Sequence, residues 1–303
     1  MLGLGKTAAG KGYADRFWRS LDGLQLHARD YPAASGLALQ PVICIHGLTR
    51  NARDFEDLAP RIAANGRRVL ALDVRGRGQS AWDPQPMRYV PATYAVDVLA
   101  LLDALGIGRA VFIGTSMGGL ITMTIAAFRP QAVAGAVLND IGPEIAPEGI
   151  KRITGYTGRS AAVATWAEAA DYARQLNAVA FPHYTAEQWT AFARRLFAEK
   201  DGRPVLDYDP DIAKAFAPPP PPEGQAPPPP VDLWPLFKGL ALGRPLLTIR
   251  GALSDLLSPD IAGRMREAAP EMAYAEVAGV GHAPMLDEPE ALAAIDTLLE
   301  AAP

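Results

Sequence analysis

Val111-Phe112-Ile113-Gly114-Thr115-Ser116-Met117-Gly118-Gly119 joins an apolar strand to a helix through a serine flanked by glycines. A bare G-x-S-x-G is a weak signal, because glycine and serine are common residues. Its position carries the weight. A sharp strand-to-helix turn strains the backbone of its central residue and lifts that side chain clear of the sheet. The flanking glycines let neighbouring chain pass close. The helix start behind the serine also offers unpaired N–H groups at the positive end of a helix dipole. Ser116 is therefore read as a nucleophile.

Outward from this turn the pattern alternates. Before it come two short strands, Arg16–Ser20 and Leu24–Tyr31, around the turn signal Leu21-Asp22-Gly23. Strand Val42–Ile45, helix Asn51–Ala64, strand Arg68–Leu72 and helix Thr93–Leu105 follow, leading into strand Ala110–Ile113 and helix Met117–Phe128. Strand Ala132–Leu138 closes this half. Short apolar strands separated by amphipathic helices predict an α/β fold, a mostly parallel sheet with helices on both faces. From about Gly142 to Leu240 the alternation stops and the chain reads as helices, at Ala161–Leu176, Ala186–Ala198 and Leu233–Leu240. Two proline runs, Pro218–Pro222 and Pro227–Pro230, interrupt this insertion and read as an extended surface loop over 218–230. The alternation resumes with Pro245–Ile249, Pro259–Ala268, Met272–Val277 and Glu290–Leu299.

A serine hydroxyl needs a base to take its proton. Of four histidines, His282 lies in a glycine-rich loop after the last strand, Gly279-Val-Gly-His-Ala-Pro284, where it can reach the carboxyl edge of the sheet. It is the expected base. His27 lies in the early hairpin, His183 in the insertion, and His46 at a strand end, where it is expected to brace the loop. The imidazole needs an orienting carboxylate. Asp255, after strand Leu246–Ile249, is preferred, with Asp140, at the end of strand Ala132–Leu138, as the competitor. An oxyanion hole needs two N–H donors. Those of Met117, directly after the nucleophile, and Leu48, where the chain leaves strand Val42–Ile45, are expected to supply them.

The 303-residue chain is 49% hydrophobic and 20% charged, with a formal net charge of −4 spread without long single-sign blocks. Nothing in this pattern points to a basic nucleic-acid groove or membrane patch, which leaves a small molecule as the expected partner. Cys44 is the single cysteine, so neither an internal disulfide nor a cysteine-based metal cluster can form. No apolar run approaches a membrane span and the start lacks a secretory h-region, which predicts a cytoplasmic protein.

His46-Gly47, Asp73-Val-Arg-Gly76-Arg-Gly78-Gln-Ser80, Gly114–Gly119, Gly251–Asp255, and Gly281-His282 through Leu286-Asp-Glu-Pro289 together resemble the α/β-hydrolase superfamily, in the expected order. The resemblance implies an eight-stranded, mostly parallel sheet with a helical cap inserted after the sixth strand. Residues 1–141 and 241–303 would form the core and 142–240 the cap. It maps a Ser–Asp–His triad onto Ser116, Asp255 and His282. The implied activity is carboxylic ester hydrolysis through an acyl-serine intermediate, with no cofactor and no metal. Lactone or C–C bond hydrolysis by the same triad is the alternative within the class. A ligand receptor that keeps the fold without catalysis is the alternative outside it.

Overall fold

Strand pairing explains how distant motifs converge. The structure, a computed structural model, describes residues 3–7, 12–34, 39–216 and 231–303. The proline runs of 218–230 lie outside the described residues. In chain order the strands are β1 (Gly3–Thr7), β2 (Ala14–Arg19), β3 (Gln25–Tyr31), β4 (Val42–Ile45), β5 (Val69–Asp73), β6 (Ala110–Thr115) and β7 (Val133–Asn139). They continue with β8 (Phe197–Lys200), β9 (Arg203–Leu206), β10 (Leu246–Gly251) and β11 (Ala273–Val277). The helices are α1 (Leu58–Ala64), α2 (Pro91–Leu105), α3 (Met117–Phe128), α4 (Pro147–Tyr156) and α5 (Trp166–Asn177). After them come α6 (Ala186–Leu196), α7 (Ile212–Phe216), α8 (Trp234–Ala241), α9 (Pro259–Ala268) and α10 (Pro289–Ala301).

One sheet has the order β1-β2-β3-β5-β4-β6-β7-β10-β11. Strands β5 through β11 in that row pair in parallel, and β1, β2 and β3 add an antiparallel flank. The expected eight strands are present. A ninth, β1, extends the edge by pairing antiparallel with β2. After β4 the chain crosses to one side to form β5, then returns past β4 to form β6. Open α/β sheets place their sites at such a switch point, beyond the carboxyl ends of the strands. The register aligns those ends: Ile45 lies opposite Gly114, Thr115 opposite Asn139, and Ile249 opposite Asn139. The loops after β4, β6, β7 and β10 therefore emerge side by side.

The central strands are continuously apolar because both faces are covered. All residues of β4 and β7 are buried. Ile43, Phe112 and Leu138 pack with residues of α2, α3 and α8, whereas Val42, Ile113 and Val137 pack with α1 and α10. Each large apolar side chain so buried contributes roughly 1.5–3 kcal/mol. Cys44 lies wholly inside this second layer, where burial pushes its thiol pKa far up, so it is a small packed hydrophobe. The first arginine of the Asp73–Ser80 turn is structural: buried Arg75 pairs with Asp83 at 2.5 Å, Asp97 at 2.7 Å and Asp22 at 2.9 Å. A buried guanidinium persists only with such partners.

The segment between β7 and β10 departs from the all-helix expectation in three ways. Helix α4 was not anticipated. An antiparallel hairpin, β8–β9, turns at Asp201-Gly202, both with positive φ, and the Asp-Gly pair is its sequence signal. Helix α8, placed with the insertion from sequence, instead packs on α3 and buries Phe237 and Leu240 in the main core. Helices α5 and α6 have an apolar cluster of their own, with Phe181, Trp189, Phe192 and Phe197. Among the described residues no helix is long and apolar enough to cross a membrane.

Candidate active site

Ser116 sits at the tip of the β6–α3 turn with φ +51° and ψ −115°, a conformation that non-glycine residues seldom adopt. The close packing around it explains the glycines. A Cβ on Gly118 would collide with the Ile45 carbonyl, and one on Gly114 with the Gly118 backbone. Helix α3 can thus begin directly against β4, which holds the serine above the sheet edge.

His282, from the loop after β11, places Nε2 2.9 Å from Ser116 Oγ. Its Nδ1 lies 2.7 Å from Asp140 Oδ2. A carboxylate accepts, so Nδ1 carries the proton and Nε2 is left free to accept from the serine hydroxyl. Asp140 itself is fully buried and well supplied with donors: the Gly251 N–H at 2.9 Å and the Ser254 hydroxyl at 2.6 Å. Its backbone φ of +56°, tolerated by aspartate, turns the chain just past β7. Asn139 steadies the histidine loop by donating to the Pro284 carbonyl at 2.8 Å.

Asp255, the preferred acid from sequence, does not meet His282. Its carboxylate instead accepts from Arg152 of α4, Nε at 2.5 Å and Nη2 at 2.8 Å. Partial burial would raise its pKa, but the hydrogen bonds and charge of Arg152 outweigh this and hold it below the usual carboxylate value. Spacing along the chain cannot tell these aspartates apart, because both follow strands that end at the same edge. Arg152 is the decisive partner, and it lies on a helix that the sequence pattern did not reveal.

The loop after β4 lies over the serine: a Cβ on Gly47 would stand 3.7 Å from Ser116 Cβ. The Gly47 carbonyl accepts from His46 Nδ1 at 2.7 Å and from the Arg50 N–H at 3.2 Å. In a trans peptide this turns the Leu48 N–H the opposite way. Neither the Leu48 nor the Met117 N–H is engaged by a backbone carbonyl among the described residues, and Met117 opens α3, where no intrahelical acceptor exists.

His46 braces this loop, as its Nε2 accepts from the Val74 N–H at 3.1 Å. Burial pushes its pKa down from 6.5 to about 4. In the unfolded chain the imidazole takes up a proton below its ordinary value, whereas in the folded chain it resists until about pH 4. Stability from this group is thus present above about pH 6.5 and lost on acidification, by roughly 2–3 kcal/mol at pH 4.5. His46→Gln, whose amide can both donate to Gly47 and accept from Val74, should shrink the stability loss between pH 7 and 4.5 by that amount in urea titrations. An equally deep loss in both proteins would show that His46 titrates normally.

A cavity of about 90 Å³ opens on Ser116 and His282. Its lining includes Gly47, Leu48 and Thr49 together with Ile153, Tyr156, Phe181, Phe192 and Tyr208. Phe192 therefore combines helix packing with lining the site, and Arg50 stacks on its ring at 4.2 Å. Trp189 is packing within the inserted helices, and Trp166 carries the Arg194 guanidinium on its face at 3.6 Å.

The family model for the alpha/beta hydrolase fold matches residues 40–289, and this chain belongs to that family. Within it, the chain is 34% identical over 256 residues to a 3-hydroxybutyrate-oligomer hydrolase of Cupriavidus necator, covering 83% of this chain and 85% of that one. Its structure is similar to an alpha/beta hydrolase from Novosphingobium aromaticivorans, with TM-score 0.88 and 46% identity over 96% of this chain and 99% of that one. A putative hydrolase from Rickettsia typhi matches with TM-score 0.77 and 26% identity, over 91% and 92% of the two chains.

Proposed function

We propose that this protein hydrolyses carboxylic esters through an acyl-serine intermediate, with short hydroxy-acid oligoesters as the first substrates to test. The observation that carries the reading is the unbroken chain of contacts from Ser116 through His282 to buried Asp140. Ser116 Oγ attacks the ester carbonyl carbon while its proton passes to His282 Nε2. The Leu48 and Met117 N–H groups receive the charge that develops on the carbonyl oxygen. The C–O bond then breaks, and the alcohol leaves with the proton from His282. Water repeats the sequence, losing a proton to His282 and freeing the acid and Ser116. Asp140 holds the imidazole in the working tautomer and stabilises the imidazolium. Residues 142–240, less the core-packed α8, act in this reading as a cap that shapes the substrate entrance.

The 3-hydroxybutyrate-oligomer hydrolase relative supports the substrate class, and the apolar cavity wall suits short alkyl chains. Purified protein should be assayed against 3-hydroxybutyrate dimer, activated butyrate esters, lactones and vinylogous diketones, alongside fluorophosphonate labelling. Ester turnover with the label on Ser116 is expected. A protein that turns over only lactones or diketones would move the reaction to the alternative chemistry. One that neither labels nor turns over any of them would be a ligand-binding member of the fold, and the hydrolase reading would fall.

A further inference from the structure

Asp255 lies in a loop beside the site yet takes no part in the Ser116–His282–Asp140 chain. Its contribution is to hold Arg152. The arginine sits in α4 of the inserted segment and lines the same cavity as Ser116 and His282. Its side chain is 20% exposed, so it is neither sealed in the core nor free in bulk water.

Among the described residues two arginines line the cavity, and they differ. Arg50 is neutralised within the lining itself, since Asp54 also faces the cavity and accepts from Arg50 Nε at 3.0 Å and Nη2 at 2.5 Å. The partner of Arg152 stands elsewhere, because Asp255 is not among the lining residues. Arg152 therefore brings its guanidinium to the cavity lining, whereas the carboxylate paired with it does not line the cavity. The guanidinium has five N–H donors in a planar fork, and Asp255 engages one edge through Nε and Nη2. The Tyr156 hydroxyl engages the guanidinium as well, which leaves part of the fork for a second planar acceptor.

Tyr156 adds to the same feature. It follows Arg152 by one helical turn, lines the cavity, and its hydroxyl interacts with the Arg152 guanidinium. Desolvation pushes the phenol pKa up, so it remains a neutral donor rather than a competing anion. A charged fork and a neutral hydroxyl one turn apart suit a carboxylate, which guanidinium recognises with two parallel hydrogen bonds.

We propose that Arg152, positioned by Asp255 and assisted by Tyr156, is a specificity-determining residue that binds a carboxylate of the substrate while the ester is held at Ser116. The inference rests on the esterase reading for the identity of the reacting bond, but not for the binding of the anion. It commits the enzyme to acidic esters, such as an oligoester with a free terminal carboxylate, over their neutral analogues.

Binding to the Ser116→Ala protein separates the two readings, because it needs no turnover. By calorimetry, 3-hydroxybutyrate dimer should bind at least about tenfold more tightly than its methyl ester. The preference should fall to within about twofold in Ser116→Ala/Arg152→Met and be partly kept in Ser116→Ala/Arg152→Lys, which retains charge without the fork. Rising sodium chloride should weaken the dimer and leave the methyl ester unchanged, a measurement that needs no change at Arg152. Equal affinity for dimer and methyl ester, or a preference untouched by Arg152→Met, would make the Arg152–Asp255 pair a structural tie and overturn the proposal. Active protein carrying Ser116 should show the same preference in kcat/KM. If it cleaves neither compound while the binding preference stands, the esterase reading fails and the anion site survives.

Discussion

Ser116→Ala should lower kcat for ester hydrolysis by about 10⁵–10⁶, the scale set by removing the nucleophile from a cooperating serine triad. The loss is nearly complete because, among the described residues, Ser116 Oγ is the hydroxyl that meets His282 Nε2, at 2.9 Å and at the head of α3. The rest of the machinery survives the change. Asp140 keeps its donors from Gly251 and Ser254, and the Leu48 and Met117 N–H groups are backbone. Thermal unfolding should consequently move little, since the hydroxyl's bond is to a part-buried imidazole and alanine keeps the Cβ within the same turn. The measurement pairs pre-steady-state ester hydrolysis with a melting curve. Retention of more than about a tenth of the wild-type rate by a folded variant would remove Ser116 from the chemistry.

Legibility in the sequence followed the range of the forces involved. The parallel sheet could be read because each strand's burial is encoded locally, as continuous apolar runs such as Val42–Ile45 and Val133–Leu138. The serine turn could be read because close approach at Gly114 and Gly118 excludes any side chain, which leaves a local mark. The inserted segment was harder. Its elements are short, and α4 buries little more than Gly149 and Ile153, so its apolar stripe is too thin to register as a helix. The hairpin β8–β9 did carry a local signal, Asp201-Gly202, and was masked by the helical pattern running into it. The orienting acid was the least legible. Asp140 and Asp255 both follow parallel strands ending at one edge, and only the third dimension shows which one Arg152 draws away.

That distinction gives the second large effect. Asp140→Asn should reduce kcat by about 10³–10⁴, whereas Asp255→Asn should cost at least a hundredfold less for the same ester. The reason lies in the donors that converge on Asp140. Its two oxygens accept from Gly251, Ser254 and His282 Nδ1, and an amide has only one oxygen to serve them. If that oxygen stays with the Gly251 N–H, the new NH₂ faces His282 and drives the proton from Nδ1 to Nε2. The imidazole then points an N–H at Ser116 and can no longer accept its proton, and the imidazolium formed during attack loses its counter-charge. Asp255→Asn removes no partner from His282, because that carboxylate is hydrogen-bonded to Arg152. Its effect should fall on discrimination between acidic and neutral esters, through a looser Arg152. Measuring kcat and KM for both variants on one neutral ester decides the matter. Should Asp255→Asn prove the more damaging, Asp255 would have to leave Arg152 and turn onto His282 in the working enzyme, and the inserted helix α4 would have to shift with each turnover to permit it.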